Sequence, residues 1–95
     1  MKIYIAGKIT DNPDYMEQFA IAELFLIKEG HFVMNPTILP PGFEHHEYMK
    51  VCFSMIDVVE AVYMLDSWRD SKGAMMEFDY AIANGKTIMY ASQRW

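Results

Sequence analysis

Ninety-five residues make one domain, 1–95, with room for a single hydrophobic core. A 53% hydrophobic and 22% charged composition is globular and leans apolar, and a net charge of −5 argues against a nucleic-acid polymer as partner. The lone Cys52 excludes an internal disulfide framework and points to a reducing, cytoplasmic setting; no apolar run is long enough to span a bilayer, which argues against a membrane partner.

The chain opens with Lys2-Ile3-Tyr4-Ile5-Ala6-Gly7, a β-rich run that breaks at glycine and enters a polar turn, as a first βα loop does. There is no GxGxxG, so a dinucleotide fingerprint is absent. Ala6 and Gly7 either let the backbone approach a ligand or only make a tight turn. Tyr4 needs a partner for its hydroxyl if it is buried near the strand end.

Residues 14–29 are patterned as a helix, with Asp11, Asn12 or Asp14 as cap and Gly30 as stop. Its stretch Phe19 to Ile27 carries one charge, Glu23, so apolar surface runs most of the way round. A helix resting on a sheet by one face should have a polar back. The second face is therefore expected to meet another subunit, giving a homo-oligomer.

A second strand, 31–34, ends at Asn35-Pro36. The segment that follows, with Pro40, Pro41 and Gly42, is expected to be a loop over the ligand end of the sheet. His45 and His46 are adjacent and have no third soft ligand at a useful spacing, so they are read as a solvated helix start and no metal is expected. Helix two, about 45–60, places Met49, Cys52, Phe53 and Ile56 on one face, which makes Cys52 a small core residue.

Ala61 to Glu77, AVYMLDSWRDSKGAMME, organises the rest. Val62 to Leu65 read as a strand covered on both faces, Asp66 to Gly73 as polar loop, and Ala74 onward as helix. Ser71 and Gly73 then lie where free backbone N–H groups face an anion, and Glu77 sits near the positive end of the helix dipole, which favours its ionised form. A capping role for Glu77 is weakened by spacing, because with Ser71 as N-cap the box partner would be Ala74. Trp68 either faces a ligand or anchors an interface. Helix three closes at Asn84-Gly85, and 86–90 form the last strand.

Four strands alternating with three helices imply an α/β fold: one small doubly wound parallel sheet, flavodoxin-like, ordered 2-1-3-4. That order sets Tyr4, Gly7, Asp66, Ser71 and Glu77 around one crevice. The tail, 91–95, is either free or laid on a neighbouring subunit.

The opening MKIYIAGKIT, the strand end GHFVMNP and the segment LDSWRDSKGAMMEFDYAIANGK together resemble the nucleoside 2-deoxyribosyltransferase superfamily, in particular its short, often phage-encoded members of unassigned function. The resemblance implies cleavage or transfer at the N-glycosidic bond of a nucleoside or nucleoside 5′-monophosphate through a glutamate nucleophile, with no cofactor. It places Glu77 as that nucleophile and Tyr4 as the tyrosine that orients it. Ser71 and Gly73 fall at the phosphate position, with Ala74 beside them as a substrate-binding candidate, and Ala6, Gly7, Lys8 and Ile9 match the ligand-lining first loop. Asn35, Asp66 and Trp68 are further candidates for substrate contact. Relatives carry an aspartate early in helix two where this chain has Cys52, so the acid that protonates the departing base is to be supplied by Asp57, by Asp66 or by another subunit. The alternative is a protein that binds or sequesters a nucleotide-like ligand without turnover.

Overall fold

The computed structural model describes residues 1–93. Its elements follow in the order β1 (Lys2–Ala6), α1 (Tyr15–Lys28), β2 (Phe32–Met34), α2 (His45–Asp57), β3 (Ala61–Met64), α3 (Lys72–Ala83) and β4 (Thr87–Tyr90). Short 3-10 turns occupy Pro36–Ile38, Asp66–Asp70 and Ala91–Gln93. The strands form one parallel sheet in the order β2-β1-β3-β4, as expected from the sequence. Of the tail, Arg94 and Trp95 lie outside the described residues.

Alternation along the two central strands assigns the core. Tyr4, Ala6, Val62 and Met64 face α2 and α3, where they meet Cys52, Ile56, Ala74 and Ala81. Ile3, Ile5, Ala61 and Tyr63 face the other way and pack with Phe19, Ala22 and Leu26 of α1. A period of two on a sheet covered on both sides gives two half-cores, and the parity of β1 directs Tyr4 to the side on which Glu77 stands.

Helix ends follow their local chemistry. Gly30 and Gly85 take positive φ (90° and 70°) and close α1 and α3, each followed by a backbone bond back to the last turn, His31 N to Leu26 O and Lys86 N to Ala81 O. At α1 the N-cap position is Asp14, without a side-chain bond; Asn12 instead braces the loop, its Nδ2 donating to Lys8 O and to Gln18 Oε1. The α3 helix starts at Lys72, two residues earlier than its composition suggests. The Ser71 hydroxyl accepts from Ala74 N at 3.1 Å, which offsets the low helix propensity of Gly73.

The outward face of α1 is bare, with Met16, Ile21, Leu24 and Ile27 each about half exposed or more. No helix among the described residues is long and apolar enough to cross a membrane.

Gly7 ends β1 against the side chain of Leu65, which follows β3. A Cβ at this position would lie 2.9 Å from Leu65 Cδ1 and 3.0 Å from its Cβ. Leu65 is itself buried and can give little ground. Gly7→Ala should therefore cost about 1–3 kcal/mol through overpacking, read as a lower denaturant midpoint at unchanged slope. Wild-type stability in that variant would mean that Leu65 repacks freely.

Candidate active site

At the C-terminal end of the sheet, β1, the loop after β2 and the first turns of α1, α2 and α3 enclose a cavity of about 530 Å³. Its lining includes Tyr4, Gly7, Ile9, Ser71, Gly73, Ala74 and Glu77, so most of the residues singled out in the sequence converge. The volume lies within the range typical of small-molecule sites.

Glu77 is the only buried charged side chain among the described residues, 7% exposed. The Tyr4 hydroxyl donates to its Oε2 at 2.5 Å. This contact satisfies the tyrosine and fixes one carboxylate oxygen. Burial pushes the Glu77 carboxyl up to about 7, against the opposing pull of hydrogen bonds from Tyr4 and Cys52. The helix dipole does not keep it ionised as the sequence suggested. Glu77 is the sixth residue of α3, beyond the first turn in which that dipole acts, and desolvation outweighs what remains. Among the described residues no lysine or arginine contributes to its environment.

Tyr4 and Cys52 complete a buried trio with Glu77. Burial, followed by the charge on Glu77, raises the Tyr4 phenol well above its ordinary value. The same two causes, in the same order, push the Cys52 thiol up to about 12. Both groups stay protonated and neutral at physiological pH and serve the carboxylate as donors. Cys52 is thus core, as its helical face implied, and cavity wall as well.

Several expected contacts lie elsewhere. Asp57 ends α2 and does not line the cavity; its Oδ1 accepts from the Tyr80 hydroxyl at 2.6 Å, and its carbonyl accepts from Lys86 Nζ. Asp66 and Trp68 are separated from Glu77. The 3-10 turn after β3 carries Trp68 inward onto Phe78, ring centroids 4.6 Å apart, and leaves Asp66 on a separate hollow of about 270 Å³ beside Tyr90. The large apolar area of the indole decides that turn.

Asn35 is committed to structure. Its Oδ1 accepts from Thr37 N and Thr37 Oγ1, and its Nδ2 donates to Glu23. It thereby holds Pro36 and Thr37, which do line the cavity. Ala6 is fully buried, and Lys8 meets the neighbouring loop through its backbone N–H, which donates to Ser67 Oγ at 3.3 Å.

The proline-rich segment forms one wall, as expected, through Leu39, Pro40 and Pro41. Tyr48 pins it to α2 by donating to Pro40 O at 2.6 Å and accepting from Phe43 N at 3.3 Å. Sequence reasoning missed Tyr15, Tyr48 and His45 as lining residues. For His45 a signal existed, since 45, 49, 52 and 56 share one helical stripe and the residue extends the Cys52 face by two turns. The Glu44–Glu47 capping box starts α2 at that residue.

Comparison with solved structures finds a "2-desoxiribosyltransferase from Leishmania mexicana" with a TM-score of 0.73 and 21% sequence identity, covering 94% of this chain. This chain spans 62% of the length of that one. The likeness is one of fold, and it agrees with the topology and sheet order described above. Comparison with curated proteins finds no match. Residues 1–90 match the family described as "Domain of unknown function (DUF4406)", and the chain belongs to that family.

Proposed function

We propose that this protein cleaves the N-glycosidic bond of a 2-deoxynucleoside or its 5′-monophosphate, with Glu77 as nucleophile. The observation that carries the reading is a buried carboxylate, free of any cationic partner among the described residues, presented to a nucleoside-sized cavity with one oxygen held by Tyr4. Glu77 Oε1 attacks C1′ as the bond to the base breaks, and a deoxyribosyl ester on Glu77 results. Water or a second base then takes the sugar from the ester. Tyr4 keeps the carboxylate aimed and supports its charge in a dry setting. Ser71, Gly73 and Ala74 line the cavity at the start of α3; the Ser71 and Ala74 amides are bonded to Trp68 O and to the Ser71 hydroxyl, so the Gly73 amide between them is the one that suits a 5′-phosphate.

The test is chromatography of free base after incubation with the common 2-deoxynucleosides and their 5′-monophosphates. Base should appear from at least one; a folded protein that releases none from the whole panel overturns the reading. A second reading, ligand binding without turnover, is favoured by Cys52, whose high thiol pKa suits it poorly to exchange protons with a leaving base. It requires thermal stabilisation by a nucleotide in the absence of product.

The bare apolar face of α1 further supports a homo-oligomer that buries Ile21, Leu24 and Ile27, for which sedimentation is the check. The lone cysteine, with no disulfide, suits a reducing, cytoplasmic setting.

A further inference from the structure

Resting on that reading, a question remains about the proton. Breaking the C1′–N bond leaves an electron pair on the base, which departs readily only if protonated. The cavity wall of the described residues contains no second carboxylate. Its titratable side chains besides Glu77 are Tyr4, Tyr15, His45, Tyr48 and Cys52. Tyr4 and Cys52 hold their protons too tightly to give them up near neutral pH, and both are engaged with the nucleophile. The Tyr48 proton is committed to Pro40 O. Tyr15 stands on α1 and packs against the half-core on the far side of the sheet from Glu77.

His45 differs from these in position and in chemistry. It is the first residue of α2, exposed at the cavity rim. Its ring rests over the start of α3: His45 Cε1 would be 3.5 Å from a Cβ built on Gly73. Gly73 and Glu77 are four residues apart on one face of α3, which separates them by about 6 Å along the helix axis. The imidazole thus lies about one turn nearer the start of α3 than Glu77 does, and both side chains line the same cavity, the arrangement that a donor and a nucleophile acting on one glycosidic bond require. Imidazole is also the side chain suited to hand over a proton near neutral pH.

We infer that His45 is the proton donor to the departing base, the part for which a carboxylate would be expected. As Glu77 Oε1 bonds to C1′, the C1′–N electron pair moves to the base and the His45 imidazolium gives the base its proton. In the second half, water attacks C1′ of the ester, its proton passes to the neutral imidazole, and the bond to Glu77 breaks. The sum is nucleoside plus water going to free base plus deoxyribose, with both residues restored.

The experiment compares His45→Gln and wild type on 2′-deoxyguanosine and on 7-methyl-2′-deoxyguanosine, each with and without a 5′-phosphate. The methylated base is already cationic and needs no proton to leave. His45→Gln should lower kcat/KM, which reports the steps up to departure of the base, by about a hundredfold on the unmethylated substrate and by less than about threefold on the methylated one. Equal loss on both substrates, or loss on neither, overturns the assignment. His45 is exposed at a helix start, so folding is not at risk, and matching melting curves verify this. If wild type releases base from none of these four and from no other substrate of the panel above, the nucleophile reading itself has failed, and this inference falls with it.

Discussion

Glu77→Gln is expected to abolish base release, by at least about a thousandfold in kcat on whichever deoxynucleoside the wild type accepts. The amide occupies the same volume, and its oxygen still accepts from the Tyr4 hydroxyl, so the pocket and ligand affinity persist while the attacking oxygen is lost. A loss confined to kcat, with substrate still raising the melting temperature of the variant, separates a missing nucleophile from a damaged site. Undiminished turnover would remove Glu77 from the mechanism. The wild type should lose activity as pH falls through about 7, where the carboxyl takes up its proton and stops being a nucleophile.

The same carboxyl should govern how stability depends on pH. Its folded-state value is raised by burial from 4.5 to about 7, so the folded state holds the proton more tightly than the unfolded chain does. The group's favourable contribution is therefore fully present below pH 4.5 and is lost as pH rises through 7. The difference corresponds to about 3 kcal/mol, a large share of the stability of a small domain. Chemical denaturation from pH 5 to 8.5 should show this decline in the wild type, and Glu77→Gln, neutral throughout, should flatten it. At pH 8 the inactive variant should be the more stable protein, melting higher by about 10 °C or more. A wild-type profile as flat as that of the variant would mean that the carboxylate is better solvated than its burial indicates.

Such a trade of stability for a poised group is common at reactive sites, and it explains which features were legible in the sequence. The sheet was legible because its determinants are local. The apolar run at 61–65, the glycines at 30 and 85 and the strand-turn-helix repeats each specify an element, and right-handed crossovers then leave few orders to choose from. Glu77 and Tyr4 were placed by resemblance and spacing, and they meet.

What could not be read depends on how loops wind. The 3-10 turn at Asp66–Asp70 carries Trp68 into the core, and no pattern in DSWRD distinguishes that from an indole facing a ligand. Asp57 was a plausible acid by residue type, but α2 stops there and Tyr80 takes it. The ionisation of Glu77 was misjudged because sequence reveals the nearby helix start and not the depth of burial that outweighs it. His45 went unplaced because its partner surface, the backbone at Gly73, belongs to a different helix.

Tyr4 stands on β1, a strand hydrogen-bonded on both sides, whereas the rim of the cavity is built from the segment between β2 and α2. On the proposed reading, the aim of the carboxylate and the shape of the entrance thus reside in separate parts of the molecule with unequal freedom to change. Substitutions in the proline-rich rim can reshape which ligand enters while the aim of the carboxylate stays tied to strand register, so one scaffold can diverge in preference without rebuilding its reactive centre.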